Sequence, residues 1–267
     1  MKTIMSINKK FTDLNPNQLI NLVSDNSKYV DGYEISINFD DESQVKYLCD
    51  LAFLCCKNNL HFQVHGNSSL NIDKQVEFFE MLYPLSDMLG YKINVVLHSI
   101  NSDNKEDSIR KTIDYLEELE DRIDNNKCVI SLENLNDDFG FDRLNLNDIK
   151  PIVMNNENIY CTYDVGHVYA DYDNAINVDK EMIELITNVH IHTHNNVYSN
   201  GFDHKPIYKD DTYWNDIIKT ITLLKINKYD GPIVFEYDLY ACNGEKLTDK
   251  IIDYAKSIDF VAERLKD

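Results

Sequence analysis

Acidic side chains stand at the ends of several apolar segments of this chain. Glu133 ends the segment ISLE, Asp164 ends CTYD, and Glu236 ends IVFE. Burying carboxylates at such positions costs too much free energy unless a cation lies between them. The pattern therefore predicts a site for a divalent metal ion.

The segments that must position these residues are short and rich in β-branched and aromatic residues, which is typical of strands. There are eight of them, near Thr3–Ile7, Tyr33–Ile37, His61–His65, Ile93–His98, Cys128–Glu133, Ile159–Asp164, Val189–His194 and Pro232–Glu236.

Amphipathic segments between the strands predict one helix after each strand. They cover Pro16–Val23, Gln44–Lys57, Lys74–Met88, Ser108–Ile123, Asn145–Met154, Lys180–Asn188, Trp214–Leu224 and Leu247–Leu265. Eight strand–helix units in 267 residues, without a Pro/Gly/Ser-rich linker, favour a closed (β/α)₈ TIM barrel, an α/β fold. We expect a single domain over residues 1–267.

In such a barrel the reactive groups lie at the carboxyl ends of the strands. Strands five to eight would direct Glu133, Asp164, His192 and Glu236 onto one ion. Three carboxylates and one imidazole suit Mn²⁺, Mg²⁺ or Co²⁺, and Zn²⁺ is a further candidate.

Other ligand-type residues follow neighbouring strands. Four histidines could hold a second or third ion or hydrogen-bond a substrate, namely His65, His98, His167 and His204. His194 and Lys205 are further candidates for contacts with a substrate, and Glu34 faces either the pocket or solvent.

Charge and composition restrict the partners. The formal net charge is −20 and the chain has only four arginines, so nucleic acid is a disfavoured partner and anionic membranes are repelled. The absence of a signal-peptide pattern and of an apolar run of membrane-spanning length predicts a cytoplasmic protein, and the six cysteines are expected to be reduced thiols. Nothing in the sequence decides whether the barrel forms an oligomer.

Several short motifs together resemble the xylose isomerase-like barrel superfamily, which includes sugar isomerases and epimerases and the endonuclease IV family. They are Leu132-Glu133-Asn134, Asp164-x-x-His167, His192-x-His194-Asn195-Asn196, His204-x-Pro206 and the segment Tyr229–Glu236.

The resemblance to the epimerases implies one divalent ion on Glu133, Asp164, His192 and Glu236. It also implies a mechanism in which the metal polarises a carbonyl and stabilises an enediolate. Glu133 and Glu236 would remove and return a proton from opposite sides of the sugar, and His167 would bind a sugar oxygen.

The resemblance to the nucleases implies instead a trinuclear zinc cluster. Counterparts of most of its ligands are present, including His65, His98, His167 and His204. However, Phe202 stands where that family has an aspartate, and Asp203 is one position away. Phosphate contacts would also need cationic residues near the barrel mouth, for which the candidates are Lys9, Lys10, Lys205 and Lys209.

The expectation that follows is a metal-dependent isomerase or epimerase of a sugar or sugar derivative. The alternatives are an endonuclease IV-like zinc phosphodiesterase acting at abasic sites and a non-catalytic barrel that binds a small molecule.

Overall fold

The computed structural model of the protein describes residues 1–7, 14–38, 41–66, 71–135, 143–170, 178, 180–193, 204, 206–207, 214–239 and 242–265. Eight parallel strands pair in chain order and close into a barrel, which confirms the predicted TIM barrel and its single-domain architecture. The strands are β1 (Lys2–Ile7), β2 (Gly32–Ser36), β3 (His61–His65), β4 (Ile93–Leu97), β5 (Cys128–Glu133), β6 (Ile159–Asp164), β7 (Ile186–Ile191) and β8 (Pro232–Phe235).

The helices lie outside the barrel, each following a strand in the chain. They are α1 (Pro16–Asn26), α2 (Glu42–Lys57), α3 (Ile72–Leu89), α4 (Lys105–Arg122), α5 (Leu146–Met154), α6 (Val165–Ala170), α7 (Lys180–Leu185), α8 (Trp214–Ile226) and α9 (Leu247–Leu265).

Asparagine caps fix where several helices begin. The side chains of Asn15, Asn71, Asn104 and Asn145 each accept a backbone N–H from the first turn of the following helix. Each cap satisfies a donor that the helix itself leaves unpaired. The asparagine caps therefore stabilise the first turns of these four helices.

The core fills the layer between strands and helices. On β5, Ile130 and Leu132 are fully buried against this layer, whereas Ser131 and Glu133 face the barrel interior. The alternation follows from the two-residue period of a strand. Consequently the polar residues of the barrel interior occupy alternate positions on each strand, where their side chains can contact one another.

One strand lies earlier in the sequence than its pattern predicted. The structure places β7 at Ile186–Ile191 rather than Val189–His194, and α7 ends at Leu185 rather than Asn188. Pairing with β6 sets this position, because Asp164 lies opposite His190. The short helix α6, directly after β6, was not predicted.

No helix in the described part of the chain is both long and apolar enough to cross a membrane.

Candidate metal centre

Four side chains at the carboxyl end of the barrel place ligand atoms within 4.8 Å of one another: Glu133, Asp164, His190 and Glu236. Nδ1 of His190 lies 3.0 Å from Oε1 of Glu133 and 3.1 Å from Oε2 of Glu236. Oδ2 of Asp164 is 3.9 Å from the same nitrogen. We call these four residues the carboxylate cluster.

The carboxylate cluster is deeply placed. Glu133, Asp164 and His190 are buried, whereas the side chain of Glu236 is 22% exposed and faces the barrel mouth. Among the described residues, Oδ2 of Asp164 has no hydrogen-bond partner. Three carboxylates surround a single imidazole, and one of their oxygens is left unpaired. This set fits a divalent cation, because burying so much negative charge requires a compensating positive charge.

His190 was not selected from the sequence, which favoured His192 for this position. His190 and His192 are two positions apart, so both side chains face the interior. The observed limits of β7 pair His190 with Asp164 in the register of the sheet. The sequence feature that could have indicated His190 is the repeat His190-x-His192-x-His194, which places an imidazole at each inward position. The sequence alone did not show which of them lies level with the carboxylates.

The charges in the cluster shift each other's pKa. Burial would lower the pKa of His190, but the carboxylates of Glu34, Glu133 and Glu236 outweigh burial and raise it well above the ordinary value. Burial likewise would raise the pKa of Glu133, yet the charge of His190 and hydrogen bonds from His190, His65 and His98 hold it well below the usual range. The site is therefore electrostatically suited to a positive charge at its centre.

A second group flanks Glu133 on the side of β3 and β4. Nε2 of His65 and Nε2 of His98 lie 3.2 Å and 2.9 Å from Oε2 of Glu133. Since a carboxylate can only accept, both rings donate to it here. His65, whose pKa rises to about 9 because Glu133 outweighs the effect of burial, is enclosed, whereas His98 is 43% exposed at the mouth.

A third group, made of His167, His192 and His204, lies beyond Asp164. Nε2 of His192 is 3.2 Å from Oδ1 of Asp164, and the rings of His192 and His204 stack with centroids 4.0 Å apart. The structure thus brings His192 together with His167 and His204, rather than with Glu133 and Glu236. Three imidazoles are a ligand set that suits zinc.

Asn134 ties this third group to the end of β5. Its side chain exchanges hydrogen bonds of 2.8 Å and 2.9 Å with the backbone N–H and carbonyl of Asp164. Its own carbonyl lies 2.9 Å from Nδ1 of His167, so that nitrogen carries the proton and Nε2 is left for a ligand role. This explains structurally why the LEN motif includes an asparagine.

Gly166 leaves room for the His192 ring. A Cβ atom added at Gly166 would lie 2.3 Å from that ring, far inside any allowed contact. The glycine of the TYDVGH segment is therefore required for His192 to pack beside Asp164.

The predicted substrate contacts His194 and Lys205 fall outside the described residues, and so do Lys9, Lys10, Phe202, Asp203 and Lys209. Glu34, for which the sequence left both directions open, faces the barrel interior and is fully buried.

The fold and these ligand groups define a TIM barrel with a candidate metal centre at the carboxyl ends of its strands. Residues 31–258 match the family model described as "Xylose isomerase-like TIM barrel", and the chain belongs to this family. A comparison with curated protein sequences gave no significant match.

Solved structures share the fold at low sequence identity. D-psicose 3-epimerase from Clostridium cellulolyticum H10, crystallised with D-tagatose, has a TM-score of 0.68 at 14% identity, covering 99% of both chains. The IolI protein with a bound zinc atom has a TM-score of 0.66 at 20% identity, covering 98% of this chain and 99% of its own. The apo form of 3-keto-D-glucoside 4-epimerase YcjR from E. coli has a TM-score of 0.64 at 14% identity, covering 98% of this chain and 99% of its own.

Proposed function

We propose that the protein is a metal-dependent isomerase or epimerase of a sugar or sugar derivative. The observation that carries the proposal is the convergence of Glu133 and Glu236, from β5 and β8, on the same imidazole nitrogen at 3.0 and 3.1 Å. The similarity in fold to proteins named as sugar epimerases supports it.

The residues of the carboxylate cluster, Glu133, Asp164, His190 and Glu236, would hold the ion. A divalent ion bound there would supply Lewis-acid polarisation of a carbonyl, which acidifies the neighbouring C–H bond. Mn²⁺, Co²⁺, Mg²⁺ and Zn²⁺ all accept this ligand set.

Glu133 and Glu236 would transfer the proton. One carboxylate removes the proton from the carbon next to the carbonyl, leaving an enediolate, and the other returns a proton. Return to the opposite face of the same carbon gives an epimer. Return to the neighbouring carbon, together with transfer of the hydroxyl proton from one oxygen to the other, gives an aldose–ketose isomer. Because Glu236 is 22% exposed, its proton can exchange with solvent between turnovers.

Hydrogen bonds orient the two acids differently. His65 and His98 both donate to Oε2 of Glu133, whereas Oε1 faces Nδ1 of His190 at the centre of the carboxylate cluster. His98, at 43% exposure, can also reach a substrate hydroxyl at the mouth. Glu133 is thus the more rigid acid of the pair.

The test is hydrogen exchange with solvent. Metal-loaded protein is incubated in D₂O with a panel of ketoses and aldoses, and deuterium on carbon is followed by NMR. We expect deuterium next to the carbonyl, and its loss in Glu133→Gln and in Glu236→Gln. Glu117→Gln, an exposed change on α4, is the matched control. Conversion without deuterium, or full turnover in both site variants, would refute the carboxylate mechanism.

A second candidate is zinc-dependent phosphodiester hydrolysis. The observation that favours it is the presence of three further three-ligand groups: one containing Glu133, one next to Asp164, and one formed by His65, His190 and Glu236. Several ions in one site can stabilise both oxygens of a phosphoryl displacement. Zinc-loaded protein that cuts an abasic-site oligonucleotide, and leaves every sugar of the panel unchanged, would establish this function in place of the first.

A further inference from the structure

Glu34 is a buried carboxylate that the proton-transfer mechanism does not use. It lies on β2, is fully buried, and points into the barrel toward His190. Its Oε2 atom lies 3.2 Å from Nε2 of His190, on the side of the ring opposite to Glu133 and Glu236. A charge at such a position needs a structural or functional reason.

A chain of hydrogen bonds holds Glu34 in this orientation. Nζ of Lys2 lies 3.4 Å from Nδ1 of His61, and Nε2 of His61 lies 3.2 Å from Oε1 of Gln63. The amide nitrogen of Gln63 then donates to Oε2 of Glu34 at 2.6 Å. Since the ammonium of Lys2 can only donate, the direction of every hydrogen bond in this series is fixed. The last of them is donated to the oxygen of Glu34 that faces His190.

The orientation of Glu34 bears on the proton of His190. A carboxylate can only accept, so Nε2 of His190 donates to it and carries the proton. Without an ion, Nδ1 also carries a proton, because it faces the carboxylates of Glu133 and Glu236. An ion bound at the carboxylate cluster would displace that proton, leaving Nδ1 with a lone pair directed at the ion while Nε2 keeps its proton on Glu34. This is the tautomer that a cation at the carboxylate cluster requires.

Asn188 offers the competing arrangement. Its amide nitrogen lies 2.9 Å from Nε2 of His190 and 3.3 Å from Oε2 of Glu34. An amide N–H donated to Nε2 would put the ring proton on Nδ1, where it would point at Glu133 and exclude a cation. Glu34 and Asn188 thus favour opposite tautomers, and a variant of each can be compared directly.

We propose that Glu34 is a positioning residue that holds the Nε2 proton of His190 and so presents Nδ1 to a divalent ion. This role rests on the metal site of the proposed function but not on the reaction performed there. A carboxylate behind a ligating histidine fixes the tautomer and increases ligand basicity, and its loss lowers metal affinity by about 10- to 100-fold in known sites.

The test measures metal binding rather than turnover. Metal-free protein is titrated with Co²⁺ by calorimetry and by its visible absorption, and the zinc-loaded protein is examined by ¹⁵N NMR for the His190 Nε2 proton. Glu34→Ala should weaken Co²⁺ binding by about 10- to 100-fold and remove the protected Nε2 proton signal. Glu34→Gln, which keeps an acceptor oxygen, should recover part of the affinity. Asn188→Ala, a change of similar size against the same nitrogen, removes the competing donor and should not weaken Co²⁺ binding or remove the Nε2 proton signal.

The outcomes separate this proposal from the proposed function. The role of Glu34 is overturned, and the metal site stands, if Glu34→Ala binds Co²⁺ as tightly as the wild type. The same holds if Asn188→Ala loses as much Co²⁺ affinity as Glu34→Ala. A wild-type protein that binds no Co²⁺ or Zn²⁺ overturns both. Weakened binding in Glu34→Ala supports the role of Glu34 even when no sugar of the panel reacts.

Discussion

His190 and His192 lie two residues apart at the end of one strand but face different ligand groups. Nδ1 of His190 is 3.0 Å from Glu133, whereas Nε2 of His192 is 3.2 Å from Asp164, in the direction of His167 and His204. The carboxylate cluster and the three-histidine group are therefore adjacent and separable by mutation.

The first prediction uses this separation. His190→Asn should abolish tight binding of the first divalent ion, because it removes the only imidazole of the carboxylate cluster. His192→Asn should retain that ion and weaken zinc binding beyond the first equivalent. Elemental analysis after dialysis against each metal measures both effects. Loss of the first ion in His192→Asn, with retention in His190→Asn, would contradict the assignment and restore the ligand set expected from sequence.

Gly166 should tolerate no side chain. Gly166→Ala places a Cβ 2.3 Å from the ring of His192, so the ring or the start of α6 must move. Overpacking of this kind costs about 1–3 kcal/mol of unfolding free energy, measurable by urea denaturation of the metal-free protein. Gly66→Ala is the milder comparison, since the contacts of its Cβ with side-chain atoms begin at 3.1 Å rather than 2.3 Å, and it should cost less unfolding free energy than Gly166→Ala. Equal stability of Gly166→Ala and the wild type would refute the close packing of His192.

Tyr254 holds the backbone on both sides of Glu236. Its hydroxyl lies within hydrogen-bond distance of the carbonyls of Phe235 and Ser6 and accepts the N–H of Tyr237. Tyr254→Phe should cost about 1–3 kcal/mol of unfolding free energy, because it leaves buried backbone groups unpaired. It should also lower kcat more than it raises KM, since Glu236 is held less firmly.

The control for Tyr254 is Tyr47→Phe on α2, a helix outside the barrel. A Tyr254→Phe protein with wild-type stability and kcat would show that the hydroxyl does not position Glu236.

His61 should make stability depend on pH in mildly acidic solution. Burial, followed by the charge of Lys2, lowers the pKa of His61 from 6.5 to about 4. Between these values the unfolded chain binds more protons than the folded one, so this contribution is present above pH 6.5 and is lost as the pH falls through 4. The loss is at most about 3 kcal/mol.

NMR titration of the His61 ring measures its pKa directly. Urea denaturation at pH 4.5 and 7 should show a smaller pH dependence in His61→Gln than in the wild type. A titration midpoint near 6.5 would contradict the burial and the contact with Lys2 in the folded state.

Much of the site was predictable because it depends on strand ends. Glu133, Asp164 and Glu236 each terminate an apolar run, and the fold brings such ends together whatever the loop sequences are. The limits of β7 were not predictable, because Ile186-Thr187-Asn188 reads equally well as the end of a helix or the start of a strand. Only pairing with β6 and β8 fixed them.

The role of Glu34 depended on the same kind of information. A charged residue within a strand faces either inside or outside, and a shift of one residue reverses the direction. The register that places Glu34 opposite Gln63 on β3, and the contact with His190 across the barrel, arise from long-range packing that one segment of sequence does not encode.

Metal content per chain tests the central claim most directly, namely that Glu133, Asp164, His190 and Glu236 together hold a divalent cation. Protein stripped with chelator is dialysed separately against micromolar Mn²⁺, Co²⁺ and Zn²⁺, and the bound metal is measured by elemental analysis in the wild type and in Asp164→Asn. We predict at least one equivalent in the wild type with one or more of these ions, and the loss of one equivalent in the variant. A wild-type protein that retains none of the three ions, or a variant that retains as much as the wild type, would contradict the claim.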